Sequence, residues 1–270
     1  MKIGIFDSGY GGLTILEKIR ARLPQYDYVY FGDNARTPYG SRSFEVVYQY
    51  TLECVKHLFD EDCQLVILAC NTASAKALRT IQQNDLPNIA PNRRVLGVIR
   101  PTVEAIGEIT KTRCVGLVAT EGTIQSNSYP LEVAKLFSDI EVVGQACPLW
   151  VPLIESNEHH TQGANYFVHK YIDALFAKNG NIDTLILGCT HYPLLLNQIE
   201  KAVPAGVNIL TQGEIVAASL EDYLLRHPET ASLCSKGGTV RFLTTESVEK
   251  FASSASIFLN QPIIAEHITI

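Results

Sequence analysis

Apolar residues recur along this chain in two rhythms. Unbroken aliphatic runs at 2–6, 28–31, 65–69, 95–99, 113–119, 140–144, 184–188 and 207–210 alternate with stretches whose apolar positions return every three or four residues. A short unbroken run fits a strand buried on both faces of a parallel sheet. The longer stretches fit amphipathic helices: over 43–59, Val46, Val47, Tyr50, Cys54 and Leu58 form one stripe. Further helices are predicted at 13–22, from Cys70 through Ile81, from Pro101 to Lys111, up to Phe176 and up to Ala202, with a loop at 87–94. The order βαβαβαβ is thus written twice, an internal duplication. Residues 3–8 can be laid over 115–120, and the loop 147–155 occupies the place that 37–39 holds in the first copy. Residues 211–270 carry one helix, 214–226, and a weaker strand-helix-strand pattern that returns to the first copy. The predicted class is α/β: two similar domains with central parallel sheets, related by a pseudo-two-fold axis, with a site in the cleft between them. The predicted division is 1–97 plus 211–270 for one domain and 98–210 for the other.

Two runs end alike. Leu68-Ala69-Cys70-Asn71-Thr72 and Leu187-Gly188-Cys189-Thr190-His191 each pass from a strand through a small residue to a cysteine and polar residues entering a predicted helix. That places both thiols at the carboxyl edge of a parallel sheet, where such folds hold ligands. Helix N–H groups and cationic histidine lower a thiol pKa, so both thiols are expected to be poised. Beside Cys70 the pattern puts Asn71, Thr72 and Ser74, with Asp7 and Ser8 from the neighbouring strand end. Beside Cys189 it puts Thr190 and His191, with Glu155 from the preceding loop. The turn Asp7-Ser8-Gly9-Tyr10-Gly11-Gly12 between a strand and a helix has an anion-binding form. It lacks both the Lys-Ser/Thr ending of a P-loop and dinucleotide spacing, and the alternative is plain turn geometry.

Composition narrows the classes. With 46% hydrophobic residues in 270, the chain can bury a sizeable core, and a net charge of −6 argues against nucleic acid or an anionic membrane as the main partner. No apolar run approaches the roughly 18 residues of a membrane span. Met1 leads directly into a strand without a signal-peptide pattern, so a cytoplasmic protein is expected. The seven cysteines show no disulfide spacing. Cys54, Cys114 and Cys147 read as buried hydrophobes, Cys63 and Cys234 as exposed loop residues, and His159 and His160 as surface groups.

Three chemistries could use the two thiols. A nucleophilic Cys189–His191 pair requires the base within reach, which a spacing of two does not guarantee, and leaves Cys70 idle. Metal binding lacks any C-x-x-C or zinc-like spacing. A pair of acid/base thiols on opposite faces of one carbon uses both, and the duplication fits it best.

The motifs Phe6-Asp7-Ser8-Gly9-Tyr10-Gly11-Gly12, Tyr30-Phe31-Gly32-Asp33, Thr37-Pro38-Tyr39-Gly40, Ala69-Cys70-Asn71-Thr72-Ala73-Ser74, Gly97-Val98-Ile99-Arg100-Pro101, Cys147-Pro148-Leu149 and Leu187-Gly188-Cys189-Thr190-His191-Tyr192-Pro193 resemble, in order, those of the glutamate racemase family within the aspartate/glutamate racemase superfamily. The resemblance implies interconversion of L- and D-glutamate for peptidoglycan without cofactor or metal, by a cytoplasmic homodimer. It implies that Cys70 acts on D-glutamate with help from Asp7, and Cys189 on L-glutamate with help from Glu155 and His191. It implies substrate contacts from Asp7, Ser8, Pro38, Tyr39, Gly40, Asn71, Thr72, Thr120, Thr123, Thr190 and His191. Ala119 departs from the family's usual glycine before Thr120, and no motif follows about Lys236. Structural alternatives stand beside three of these residues: a satisfied helix-start His191, a Glu155 that opens a helix and favours its dipole, and a Tyr39 that only packs. Alternative functions are a racemase of aspartate or another amino acid, and a ligand-binding relative without turnover.

Overall fold

Every aliphatic run becomes a parallel strand. The computed structural model describes residues 1–259 and 261–270. Its strands are β1 (Lys2–Asp7), β2 (Tyr28–Gly32), β3 (Cys63–Leu68), β4 (Arg94–Gly97), β5 (Cys114–Ala119), β6 (Glu141–Ala146), β7 (Thr184–Gly188), β8 (Asn208–Leu210), β9 (Val240–Thr244) and β10 (Ala265–His267). One sheet runs β10-β9-β2-β1-β3-β4 and the other β6-β5-β7-β8. The order β2-β1-β3-β4 is therefore repeated as β6-β5-β7-β8, and the class is two α/β domains with central parallel sheets. The thiol-bearing strands β3 and β7 and their neighbours β1 and β5 are buried almost throughout, which is why they read as unbroken apolar runs. The edge strand β6 is only half-buried. The weaker pattern after 236 joins the first sheet, with Tyr30 of β2 paired to Phe242 of β9.

The helices are, in order, α1 (Leu13–Arg22), α2 (Phe44–Asp60), α3 (Asn71–Lys76), α4 (Leu78–Thr80), α5 (Leu86–Ile89), α6 (Ile99–Ile109), α7 (Glu121–Gln125), α8 (Ser128–Leu136), α9 (Trp150–Glu155), α10 (Gln162–Phe176), α11 (Leu196–Ala202), α12 (Gln212–Arg226), α13 (Pro228–Leu233) and α14 (Val248–Leu259). Ser43 caps α2 by accepting from the Val46 N–H. The chain crosses between sheets twice, from β4 into α6 and from β8 into α12. Both α12 and α14 lie along α1, so the C-terminal segment covers the first domain and the turn that enters α1. No helix among the described residues is long and apolar enough to cross a membrane.

Several boundaries differ from the sequence reading. The strand at 95–99 stops at Gly97, and Ile99 opens α6 with Pro101 in the first turn, where the missing N–H costs nothing. The helix after Cys70 does not stop at Ile81; it continues through a π-turn (Ile81–Asp85) into α5. The loop 147–155 ends in α9, and Glu155 closes this helix rather than opening one. A favourable helix dipole therefore cannot account for Glu155, because carboxylates are favoured at helix N-termini. Cys63 and Cys234 are buried, not exposed, as are Cys54, Cys114 and Cys147. Cys63 opens the central strand β3 opposite Lys2, and Cys234 follows α13 and belongs to the main apolar core. His159 is also buried, its ring tilted at 46° against that of the exposed His160.

Candidate active site

A cleft of about 400 Å³ lies where the carboxyl edges of the two sheets meet, and both Cys70 and Cys189 line it. A larger cavity, about 550 Å³, opens between α3, α6, α8 and α12, but it contains neither thiol. Cys70 caps α3, with the Ala73 N–H 3.5 Å from its sulfur and Ser8 Oγ at 3.3 Å. The sequence predicted a lowered pKa for a thiol at this position. Burial outweighs the cap: it pushes Cys70 up to about 12, the neighbouring Asp7 adds to the rise, and Ser8 and the Ala73 N–H only moderate it. Asp7 ends β1 and is itself buried. Burial raises its pKa, although His191 and the N–H groups of Gly9 and Gly12 pull the other way. The glycine turn thus wraps its own aspartate: the Gly9 N–H donates to Asp7 Oδ2 at 2.9 Å. Gly11 serves a different need, because a Cβ there would sit 2.3 Å from both His191 Nδ1 and Thr190 Oγ1. The turn therefore packs directly against the Thr190-His191 segment of the other domain.

Cys189 follows β7 directly, but no α-helix begins until Leu196; a 3-10 turn (Tyr192–Leu195) intervenes. A histidine takes the place of a helix start. His191 Nδ1 lies 3.8 Å from Cys189 Sγ, so the spacing of two does bring imidazole to thiol. On its other side Nε2 meets Glu155 Oε1 at 2.9 Å. Burial alone would lower the His191 pKa, yet its bonds to Cys189 and Glu155 outweigh this and hold it well above the ordinary value. The result is a relay in which Glu155 orients and charges His191, and His191 presents positive charge to the sulfur. The edge of Phe258 in α14 closes the remaining side of the ring, at 5.4 Å between centroids and 87°.

A family model described as Asp/Glu/Hydantoin racemase matches residues 13–220. The chain is 40% identical to the glutamate racemase of Dinoroseobacter shibae, an alignment covering 97% of both proteins. It is 41% identical to that of Paracoccus denitrificans, over 97% of this chain and 98% of the relative. Among solved structures, glutamate racemase isoform RacE1 from Bacillus anthracis superposes with a TM-score of 0.90 at 34% identity, covering 100% of this chain and 97% of the other. Glutamate racemase from Francisella tularensis, solved with D-glutamate, gives 0.88 at 33%, covering 99% and 97%. The chain belongs to the Asp/Glu racemase family. An aspartate racemase from Picrophilus torridus shares the fold at 19% identity and a TM-score of 0.56.

The racemase cleft gathers all the residues singled out in the sequence except Thr123, which stands just behind its lining, and Ser74, whose hydroxyl turns back to donate to the Leu68 carbonyl at 2.8 Å. Thr123 still joins the hydroxyl cluster, 3.3 Å from Thr72 and 3.1 Å from Thr120, while Thr72 and Thr120 lie 2.9 Å apart. This cluster ties the first domain to the second. Two residues line the cleft with their side chains committed elsewhere. The Tyr39 hydroxyl donates to the buried Asp33 at 2.5 Å, so it is already engaged in a bond pointing away from the cleft's thiols. Asn71 turns its amide toward Gln212 and Tyr129. What remains for a ligand at these positions is backbone, including the first N–H groups of α3, which have no intrahelical acceptor. Gly40 lies against Thr120, and its carbonyl accepts the Gly122 N–H at 2.7 Å. Sequence reasoning missed Gln212, Tyr129 and Phe258. Phe258 lies in a tail without motifs, and nothing local in the sequence marks Gln212 or Tyr129 as neighbours of Asn71. No group of three or more His, Cys, Asp or Glu among the described residues is arranged to hold a metal ion.

Proposed function

We propose that this chain interconverts L- and D-glutamate by moving protons between Cα and two thiols on opposite sides of the cleft, supplying D-glutamate for peptidoglycan. The observation that carries the reading is that two thiols, each with its own helper, line one cleft in a chain whose full-length relatives are glutamate racemases. From L-glutamate, the Cys189 sulfur takes the α-proton: the Cα–H bond breaks and an S–H bond forms. The Cys70 thiol then delivers its proton to the opposite face, so the proton count is unchanged and the centre is inverted. D-glutamate reacts in reverse, with Cys70 as base. Asp7 assists at Cys70, and His191 with Glu155 assists at Cys189. Among the described residues no lysine or arginine lines the cleft, so the substrate carboxylates are received by hydroxyls of Ser8, Thr72, Thr120 and Thr190 and by backbone N–H groups. The mechanism asks nothing of a cofactor.

The same reading takes the chain as a cytoplasmic homodimer divided at 1–97 plus 211–270 and 98–210. The free state of all seven cysteines supports the compartment, and the two sheet crossings support the division. Sedimentation of the purified protein tests the dimer. For the activity, purified protein is incubated with L-glutamate in deuterium oxide while optical rotation and Cα deuterium are followed. Loss of rotation with label uptake is expected. A folded protein that does neither rejects the racemase, and faster turnover of aspartate reassigns its substrate. Cys70→Ser and Cys189→Ser should each abolish racemisation, and full activity in either rejects the two-thiol mechanism.

A further inference from the structure

Behind Cys70, on the side away from the cleft, four buried polar side chains close on one another. They come from four helices: Asn71 opens α3, Thr102 lies in the first turn of α6, Tyr129 lies in α8, and Gln212 opens α12. None is more than 3% exposed. Gln212 is their common partner. Its Oε1 accepts from Asn71 Nδ2 at 2.5 Å, and its Nε2 lies 2.9 Å from both Thr102 Oγ1 and Tyr129 Oη. The Tyr129 hydroxyl in turn donates to Asn71 Oδ1 at 2.8 Å, and Thr102 donates to the Val98 carbonyl at 2.8 Å. Thr102 Oγ1 and Tyr129 Oη are the nearest acceptors for the two Nε2 hydrogens, with Asn71 Oδ1 at 3.2 Å and the Val98 carbonyl at 3.5 Å further off, and each end of the Asn71 amide makes a bond.

The location sets this cluster apart from an ordinary core network. Among the described residues the chain passes between the domains only at β4–α6 and β8–α12, and Thr102 and Gln212 stand at those two crossings. Tyr129 belongs to the second domain. Asn71 belongs to the first and directly follows Cys70. A buried primary amide gains nothing over an apolar side chain unless all its bonds are made, and once made they fix one arrangement. The arrangement fixed here is that of both crossings relative to the residue next to one catalytic thiol. Cys189 has no comparable support from this network.

We propose that Gln212 is a positioning residue: it holds Asn71, and through it the backbone of Cys70, in register with the second domain across both crossings. This inference rests on the two-thiol reading above. It assigns the network to the Cys70 half of the reaction alone.

Gln212→Leu keeps the volume and removes every bond. Placement errors near 1 Å cost up to about a hundredfold in rate, so kcat should fall roughly ten- to a hundredfold while KM changes little. A loss of packing alone would do as much, and the deciding readout is the primary isotope effect on kcat/KM, measured from both enantiomers deuterated at Cα. If only the Cys70 transfer is slowed, the effect rises for D-glutamate, whose proton Cys70 removes, and falls for L-glutamate. Tyr129→Phe removes a single hydroxyl and should show the same asymmetry more weakly; it decides the matter should Gln212→Leu not fold. The double variant should lose no more than Gln212→Leu alone. Wild-type kcat in both variants, or isotope effects that stay equal to wild type for both enantiomers, overturns the assignment. A wild-type protein that fails to racemise glutamate overturns the underlying reading instead.

Discussion

Gly11 should be indispensable although it is not among the residues that line the cleft. Its φ is not in the left-handed region, so alanine would impose no backbone strain, and the whole effect of Gly11→Ala comes from the new Cβ. That atom would sit 2.3 Å from His191 Nδ1 and Thr190 Oγ1 and 2.7 Å from His191 Cε1. Reaching ordinary contact at 3.4 Å requires the turn or the imidazole to retreat by about 1.1 Å. Either movement widens the 3.8 Å approach to Cys189 or strains the 2.9 Å bond to Glu155. A hydrogen bond to a charged group is worth ~1.5–3 kcal/mol, and displacements of ~1 Å near the chemistry cost ~10²-fold. Both routes converge on a loss in kcat of about one to two orders of magnitude. The assay is racemisation followed by circular dichroism, with far-ultraviolet spectra to show that the variant is folded. Gly9→Ala, whose Cβ would meet nothing closer than 3.4 Å, is the comparison and should lose far less. A folded Gly11→Ala protein with wild-type kcat would refute the packing of this turn against His191.

Four further outcomes follow from the same geometry. Glu155→Gln removes the charge that helps hold the His191 imidazolium, so the His191 titration followed by NMR should move to lower pH and kcat should drop by ~10²-fold; an unmoved titration rejects the relay. Because the folded pKa of His191 is raised, its contribution to stability is complete below about pH 6.5 and is lost as pH climbs through the folded value. Tyr39→Phe should cost ~1–3 kcal/mol of stability by leaving the buried Asp33 short of a donor, with kcat within about threefold; a large kcat loss at unchanged stability would return the hydroxyl to the substrate. Burial raises Cys63 and Cys70 to about 12 and Cys234 to about 11, against an ordinary 9.0. The unfolded chain therefore ionises first, and thermal stability should fall between about pH 9 and pH 12. The gap at Cys63 alone amounts to ~4 kcal/mol when complete, and a melting temperature flat over that range would show the thiols to be solvated.

Strands and thiols were legible because both are local. An unbroken aliphatic run bounded by a small residue has one favourable place in a domain of this size, the middle of a parallel sheet, and its carboxyl end fixes where the next side chain goes. The repeated order β2-β1-β3-β4 and β6-β5-β7-β8 follows from two copies of one alternation. Exposure was misread where it depends on neighbours distant in sequence. Cys63 sits among polar residues along the chain, yet it opens a central strand. Glu155 was placed at the wrong end of its helix because Trp150-Val151-Pro152-Leu153 carries a proline, and prolines in a first turn look like loop. The direction of the Cys70 pKa was misjudged for a related reason: a helix cap is visible in sequence, whereas burial beside another buried acid is a property of the assembled cleft. Gln212 was invisible because its partners lie 83 to 141 residues away.

The raised pKa values of Cys70 and Asp7 answer a difficulty that the cleft composition poses. Glutamate carries two carboxylates, and among the described residues the cleft offers it no lysine or arginine, only His191, whose charge is already matched by Glu155. Were Cys70 and Asp7 both ionised in the empty cleft, the substrate would meet two further negative charges at close range in a poorly solvated site, where repulsion is strongest. Burial prevents this at Cys70, whose thiol is pushed up to about 12, and shifts Asp7 in the same direction. In the two-thiol mechanism proposed above, it leaves Cys70 holding the proton that inversion of L-glutamate must receive, so the same desolvation that admits two carboxylates also loads the donor. The two halves therefore differ for a physical reason: one sulfur is kept neutral by burial, and the other lies against an imidazolium that burial alone would have discharged. In that mechanism a duplicated frame supplies the two faces, and unequal helpers give each face its proton.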